Sequence, residues 1–347
     1  MTQANHARIS GENLPFLTPD DVLAAEHRIA PYIHRTPLLS SSLLDDWLGH
    51  RIIFKAEGLQ KIGAFKMRGA INTLLALKEQ GRLPQKIVAY SSGNHAQAVA
   101  YAASRLGAEA TIMMARYVAP IKRQAAAHYG AQVHLEETRA DAIAAAHALQ
   151  DKGYFLLPPY DHDDVIAGQG TACLEALQDS PEKPDAVFAT CSGGGLVAGT
   201  WIAAQISREP IAVYGAEPLN ANDAARSFRE GRIISFEKEP ETVADGARAL
   251  CMTPRTFQYI RRLDGMVEAP EKDIIYWTQW LTHLLKTLVE PTAATAMASA
   301  ARWLKTQPKG CTVLVILSGG NVDPAARRDI WGKSLLETTP DVYTQGT

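Results

Sequence analysis

The feature that most restricts what this chain can fold into is a repeated unit. A short apolar run leads into a polar, glycine-rich loop, and a stretch with helical spacing follows. Runs at 87–90, 110–114, 132–135, 186–190, 211–216 and 312–317 are rich in Ile, Val and Ala, as strands buried on both faces are. Between them, 96–105, 121–129, 139–149, 168–177, a stretch from about 196, and 276–288 carry helical spacing, several stopped by Gly107, Gly130 or Gly153. Upstream, 52–55 reads as a strand and 67–77 as a helix. Thr18-Pro19-Asp20-Asp21 opens a helix to about Ile29 with an N-cap, a proline at the first helical position and acids in the first turn. Strands alternating with helices predict an α/β fold of two open, mostly parallel twisted sheets with helices on both faces.

Composition narrows the ligand. The 347 residues suffice for two lobes, and 46% hydrophobic with 21% charged residues is an ordinary globular balance. A net charge of −2 with both signs interspersed favours neither nucleic acid nor an anionic membrane, so the expected partner is a small molecule. Cys173, Cys191, Cys251 and Cys311 lie far apart without a CxxC pair, which argues against a disulfide framework or zinc site and fits buried thiols in a reducing cytoplasm. Neither a signal-peptide core nor a run long enough for a membrane span is present, so a soluble cytoplasmic protein is expected.

Four stretches carry chemistry. The first, KIGAFKMRG at 61–69, sets Lys66 behind Gly63-Ala64, beside Phe65 and at a helix start; apolar neighbours that desolvate its ammonium would make it a nucleophile toward carbonyls, whereas in solvent it is an ordinary surface charge. SGGGLVAG at 192–199 follows a strand and opens a helix. Its consecutive glycines allow several N–H groups to face one anion, with the helix dipole adding positive charge, as a phosphate requires. The same glycines, with Glu217 at the end of the next strand, also match a dinucleotide fingerprint, which leaves an NAD-dependent oxidoreductase open at this point. SSGNH at 91–95 and SGGN at 318–321 each end a strand, where ligands bind in open α/β sheets; each is also an acceptable cap or turn.

Read together, GAFK, SSGNHAQA, VIAGQGT, SGGGL, AEPLNAND, TVADG, EPTAA and LSGGNVD stand in the order found in pyridoxal-phosphate enzymes of fold type II. The chain resembles the serine/threonine dehydratase and serine racemase family, which includes hydroxyaspartate dehydratases, over roughly 18–327, and this overrides the NAD reading. The resemblance implies a tryptophan synthase β-like fold, with a large cofactor domain at 18–85 and 163–333, a small mobile domain at 86–162, and tails at 1–17 and 335–347, the last expected to fray. It implies that Lys66 carries the cofactor and acts as base, that Phe65 packs on the ring, and that Ser192, Gly193, Gly194, Gly195 and Leu196 hold the phosphate. Asn94 would meet the ring hydroxyl and Ser318 the pyridine nitrogen. Ser91, Ser92, Gly93, Asn94 and His95 would bind the substrate carboxylate, with Ser92 also assisting the leaving hydroxyl. The family's Mg²⁺ or Ca²⁺ site falls on Glu217, Asp223 and the Ala221 carbonyl, hard oxygen ligands.

The implied reaction is α,β-elimination of a β-hydroxy amino acid, L-serine, L-threonine or a 3-hydroxyaspartate, to a 2-oxo acid and ammonia. Serine or aspartate racemisation through the same carbanion is the alternative, and a non-catalytic amino-acid sensor a third reading. IGAFK replaces the frequent TGSFK, the chain ends without the length of a regulatory domain, and Ser92 stands where many threonine dehydratases have alanine. Arg139 matches an arginine of serine racemase and hydroxyaspartate dehydratases and would meet a second substrate carboxylate; the alternative is a surface pair with Asp141 or a nearby acid. A homodimer or homotetramer is expected.

Overall fold

The structure, a computed structural model, describes residues 15–91, 93–116 and 120–345. Its strands are β1 (Leu38–Leu39), β2 (Arg51–Ala56), β3 (Lys86–Tyr90), β4 (Glu109–Ala115), β5 (Gln132–Glu136), β6 (Phe155–Leu156), β7 (Ala186–Thr190), β8 (Ala212–Pro218), β9 (Gly265–Ala269) and β10 (Thr312–Leu317). They form a six-stranded sheet in the order β1-β2-β10-β7-β8-β9 and a four-stranded sheet in the order β5-β4-β3-β6. Every pairing is parallel except β1 with β2. Helices cover both faces, which is why TVLVIL of β10 can be buried at all six positions.

The predicted helices form with shifted ends: 168–177 lies within Asp163–Asp179, and 276–288 becomes Glu271–Leu285. Helix Lys66–Glu79 is buried continuously from Met67 to Leu77, packed against helices Asp163–Asp179 and Asn94–Leu106. Close approach there needs glycine: a Cβ on Gly168 would lie 2.6 Å from the Arg68 carbonyl oxygen, and one on Gly170 2.7 Å from that of Gly199.

Charge is buried with it. Arg68 pairs with Glu57 at 2.7 Å and Glu175 at 2.8 Å, and Lys55 pairs with Glu175 at 2.7 Å, all essentially without exposure. Two cations face two carboxylates, so the group is neutral within itself and ties the start of the Lys66 helix to the end of β2.

The expected fraying of the last ten or so residues is corrected. Pro340–Gln345 is a short helix; the Tyr343 ring stacks on Tyr276 with centroids 3.7 Å apart, and its hydroxyl donates to Asp273 at 2.6 Å. Polar composition hid an aromatic anchor. Cys173 and Cys191 are buried, Cys251 and Cys311 partly so, and all four are free thiols. Among the described residues no helix is long and apolar enough to cross a membrane.

Candidate active site

Because β2, β10 and β7 are parallel neighbours, the loops leaving their C-terminal ends emerge side by side. The lysine loop and the loop after β10 are stitched together: Phe65 N–H donates to the Ser318 carbonyl at 3.0 Å, and Gly320 N–H to that of Gly63 at 3.0 Å. With the loop after β7 and the end of β3 they line one cavity of about 980 Å³. Phe65, Lys66, Ser91, Gly93, Asn94, His95, Arg139, Ser192 to Leu196 and Ser318 all face it. Ser92 lies outside the described residues.

Lys66 begins its helix and reaches the cavity half-buried, with Nζ donating to the Pro159 carbonyl at 2.6 Å and lying 5.0 Å from the Phe65 ring centroid. No carboxylate among the described residues compensates it. Desolvation therefore lowers its pKa from the usual lysine value to about 7, leaving a large neutral fraction at neutral pH. The preceding turn holds Ile62 at φ 63°, a left-handed conformation costly for a β-branched side chain. Its carbonyl is taken by Asn321 Nδ2 at 2.7 Å.

The glycine loop is an anion cradle. Helix Gly195–Ala204 starts from Gly194 at φ 91°, and no N–H from Ser192 to Leu196 meets a protein acceptor among the described residues. A Cβ on Gly193 would lie 2.2 Å from the Tyr160 ring, and one on Gly195 2.5 Å from Gln169 Oε1. Buried Ser318 Oγ has no partner among the described residues. Free N–H donors, an unpartnered hydroxyl and a deprotonable lysine on one cavity wall suit a phosphorylated aldehyde with a ring nitrogen.

Helix Asn94–Leu106 also points its N-terminus at the cavity, supplying N–H groups for a carboxylate. The His95 side chain does not: its Nε2 is engaged with the Leu157 carbonyl at 2.9 Å, and burial with Lys66 nearby depresses its pKa to about 3. It remains neutral, and only its backbone N–H can serve an anion. Ser91 Oγ accepts from Gly93 N–H at 3.2 Å. Arg139 pairs with Glu239 at 3.3 Å, the nearby surface acid of the alternative reading, and donates to the Arg248 carbonyl at 3.1 Å, while Asp141 forms a capping box with Thr138.

Glu217 and Asp223 are buried outside the cavity, so Glu217 cannot hold a ribose there, and the NAD reading loses its acid. Glu217 accepts from Ala224 and Ala225 N–H at 3.4 and 2.7 Å, while neither Asp223 oxygen has a partner among the described residues. Burial raises both, Asp223 to about 7, and at Glu217 repulsion from Asp223 adds to it. Sequence reading missed Tyr160, Gln169 and Glu290 as cavity neighbours, although VIAGQGT and EPTAA held the last two.

Comparison with known proteins agrees with this geometry. Residues 29–319 match the family described as pyridoxal-phosphate dependent enzyme. The chain is 40% identical to L-threo-3-hydroxyaspartate ammonia-lyase of Saccharomyces cerevisiae, covering 88% of this chain and 94% of that one. It is 38% identical to serine racemase of Schizosaccharomyces pombe, covering 90% and 96%. A threonine deaminase structure from T.th. superposes with a TM-score of 0.83 at 44% identity, covering 88% and 99%. With a family match over residues 29–319 and relatives of 38–40% identity across nearly nine-tenths of its length, the chain belongs to the pyridoxal-phosphate-dependent enzymes of fold type II.

Proposed function

We propose that the chain is an ammonia-lyase that converts L-serine, L-threonine or a 3-hydroxyaspartate to a 2-oxo acid and ammonia. The observation that carries this is Lys66, a half-buried, desolvated amine without a counter-charge among the described residues, in one cavity with the free N–H groups of the glycine loop. Lys66 holds the cofactor and, released by the incoming amine, removes the Cα proton. The cofactor, when bound, supplies the electron sink for that pair. Ser318, a neutral hydroxyl at the ring nitrogen, favours elimination or racemisation over transamination. The β-hydroxyl takes up a proton, with Ser92 proposed to assist, and departs as water; the enamine left behind takes up water and loses ammonia. N–H groups at the start of helix Asn94–Leu106 orient the carboxylate, and the part at 86–162 closes over the site and excludes solvent.

Arg139 is proposed to read a second carboxylate, a role supported by the likeness to the hydroxyaspartate ammonia-lyase. A bidentate pair would contribute about a ten- to hundredfold preference, reduced by the exchange of Glu239 for the substrate. A panel of L-serine, L-threonine and the 3-hydroxyaspartate isomers, followed for keto acid and enantiomer together, tests the assignment. Arg139→Ala should reduce kcat/KM for the dicarboxylate far more than for serine, and equal losses would make the arginine structural. Racemisation is the second reading, favoured by the likeness to serine racemase; it needs reprotonation on the face opposite Lys66.

We further propose a Mg²⁺ or Ca²⁺ ion on Glu217, Asp223 and the Ala221 carbonyl. The unpartnered Asp223 oxygens support it. Chelation and dialysis should lower thermal stability, with Mg²⁺ or Ca²⁺ restoring it; no change would leave two protonated acids instead. A cytoplasmic homodimer or homotetramer is the expected working form, checked by sedimentation.

A further inference from the structure

One carboxyl group inside the site has no cation hydrogen-bonded to it. Glu290, at the start of helix Pro291–Leu304, is 3% exposed. Its oxygens face N–H groups: Asn94 Nδ2 at 3.1 and 3.2 Å, and Asn321 backbone N–H at 3.2 Å. Asn94 is fixed from its other end as well, because its Oδ1 accepts from Asn321 Nδ2 at 2.8 Å, and that same nitrogen donates to the Ile62 carbonyl. A single polar chain therefore joins the lysine loop, the loop after β10, the start of helix Asn94–Leu106 and Glu290.

The geometry suits the ionised carboxylate. Each oxygen meets a donor and, among the described residues, neither meets an acceptor, so an added proton would sit opposed to an N–H. Burial opposes ionisation, as does Asp245 across the cavity. Lys122, on helix Pro120–His128, favours it at a distance but is held by Asp245 at 2.6 Å, with Asp323 also facing it. The opposing influences leave the Glu290 carboxyl raised to about 7.

We propose that Glu290 is a positioning residue: ionised, it locks the Asn94 amide, and through it the cofactor ring, in the productive orientation, and so sets the acid side of the enzyme's pH profile. This rests on the reading of Asn94 as the contact of the ring hydroxyl. No covalent step is involved, only the loss of one proton from the carboxyl to solvent.

The test uses the holoenzyme with Glu290→Gln and Glu290→Asp. The visible spectrum of the bound cofactor is followed against pH without substrate, beside kcat and KM. The wild type should show a one-proton spectral transition near pH 7, with kcat/KM rising through it. Glu290→Gln should remove the transition and lower kcat about tenfold or more, with KM and cofactor Kd changed less than about threefold. Glu290→Asp should keep a displaced transition. An unchanged transition in Glu290→Gln overturns the proposal, as do equal losses in both variants accompanied by falling Tm.

If Glu290→Gln does not retain cofactor, the cofactor-free proteins still decide. A carboxyl raised on folding contributes stability below its unfolded pKa that is lost as pH rises through the folded value. The wild type should therefore lose stability relative to Glu290→Gln between about pH 4.5 and 7, and parallel curves would refute the idea. A substrate panel that yields no keto acid beside an intact spectral transition removes the lyase reading and leaves this one standing.

Discussion

Lys55 and Lys66 leave opposite ends of one connection, and both run into protein interior, yet they differ in company. Lys55 donates to Glu175 and to the Thr36 carbonyl, each at 2.7 Å, within a group where Arg68 and Glu57 complete the balance. Desolvation lowers its pKa, but Glu175 and Glu57 oppose the shift. Lys66 has a single carbonyl at 2.6 Å and only desolvation acting on it. On the proposed function, the same chemical group is made a strut in one place and a reagent in the other by the presence or absence of a counter-charge. Carboxylates follow the rule too: Glu175, against two cations, is lowered, whereas Glu217, Asp223 and Glu290 are raised.

The widest separation of the two lysines should come from removing the reagent. Lys66→Ala is expected to reduce turnover on the order of 10³-fold or more while leaving the thermal transition nearly in place, because a base and covalent anchor disappear from a cavity wall. Steady-state assay beside calorimetry checks both halves; an active variant would refute the role given to the lysine. Breaking the strut should do the reverse. Glu175→Ala leaves Lys55 and Arg68 buried without their shared partner and should cost about 3–5 kcal/mol in denaturant unfolding. A loss under about 1 kcal/mol would mean that water or rearrangement repairs the group.

A gentler contrast lies in protonation. In cofactor-free protein, an amine-directed reagent should label Lys66 at a rate that climbs through about pH 7, with Lys55 protected. The linked stability has a definite sign. A lysine depressed on folding contributes stability above its unfolded pKa that is lost as pH falls through the folded one, so wild type should gain on Lys66→Met from about pH 7 to 10.5. Identical slopes would place the amine in solvent. Smallest of all should be an exposed pair of similar length: Arg116 and Glu137 meet at 2.7 Å with 61% and 73% of their side chains exposed. Arg116→Ala should change stability by at most about 1 kcal/mol, and a larger change would undo the rule that burial, not separation, makes these contacts matter.

What the sequence made legible was local. The helix start at Thr18-Pro19, the buried run of β10 and the glycine loop at 192–195 each declare themselves through neighbouring residues, and the structure has them there. What stayed hidden depends on partners far along the chain. β9, Gly-Met-Val-Glu-Ala, is half-buried and breaks the apolar run that marked the other strands, so only pairing with β8 identifies it. Helix Pro291–Leu304 is nearly all buried, and its Ala- and Thr-rich sequence lacks a polar face to set its period. The loss of the His95 side chain as a carboxylate donor turns on a Leu157 carbonyl that no spacing rule reaches.

The place of β10 governs how this molecule is made. It lies between β2 and β7, yet it comes last of the ten strands in the chain. During synthesis β2 and β7 therefore wait with one edge each exposed, and no earlier segment fills the gap between them. The lysine loop likewise waits for Ser318, whose carbonyl receives Phe65 N–H. Assembly of the large sheet and of the cofactor cleft is thus a single late event on the ribosome's timetable, dominated by long-range closure and correspondingly slow. A nascent chain halted before Thr312 presents two unsatisfied strand edges and no catalytic pocket, the state in which chaperone capture matters most.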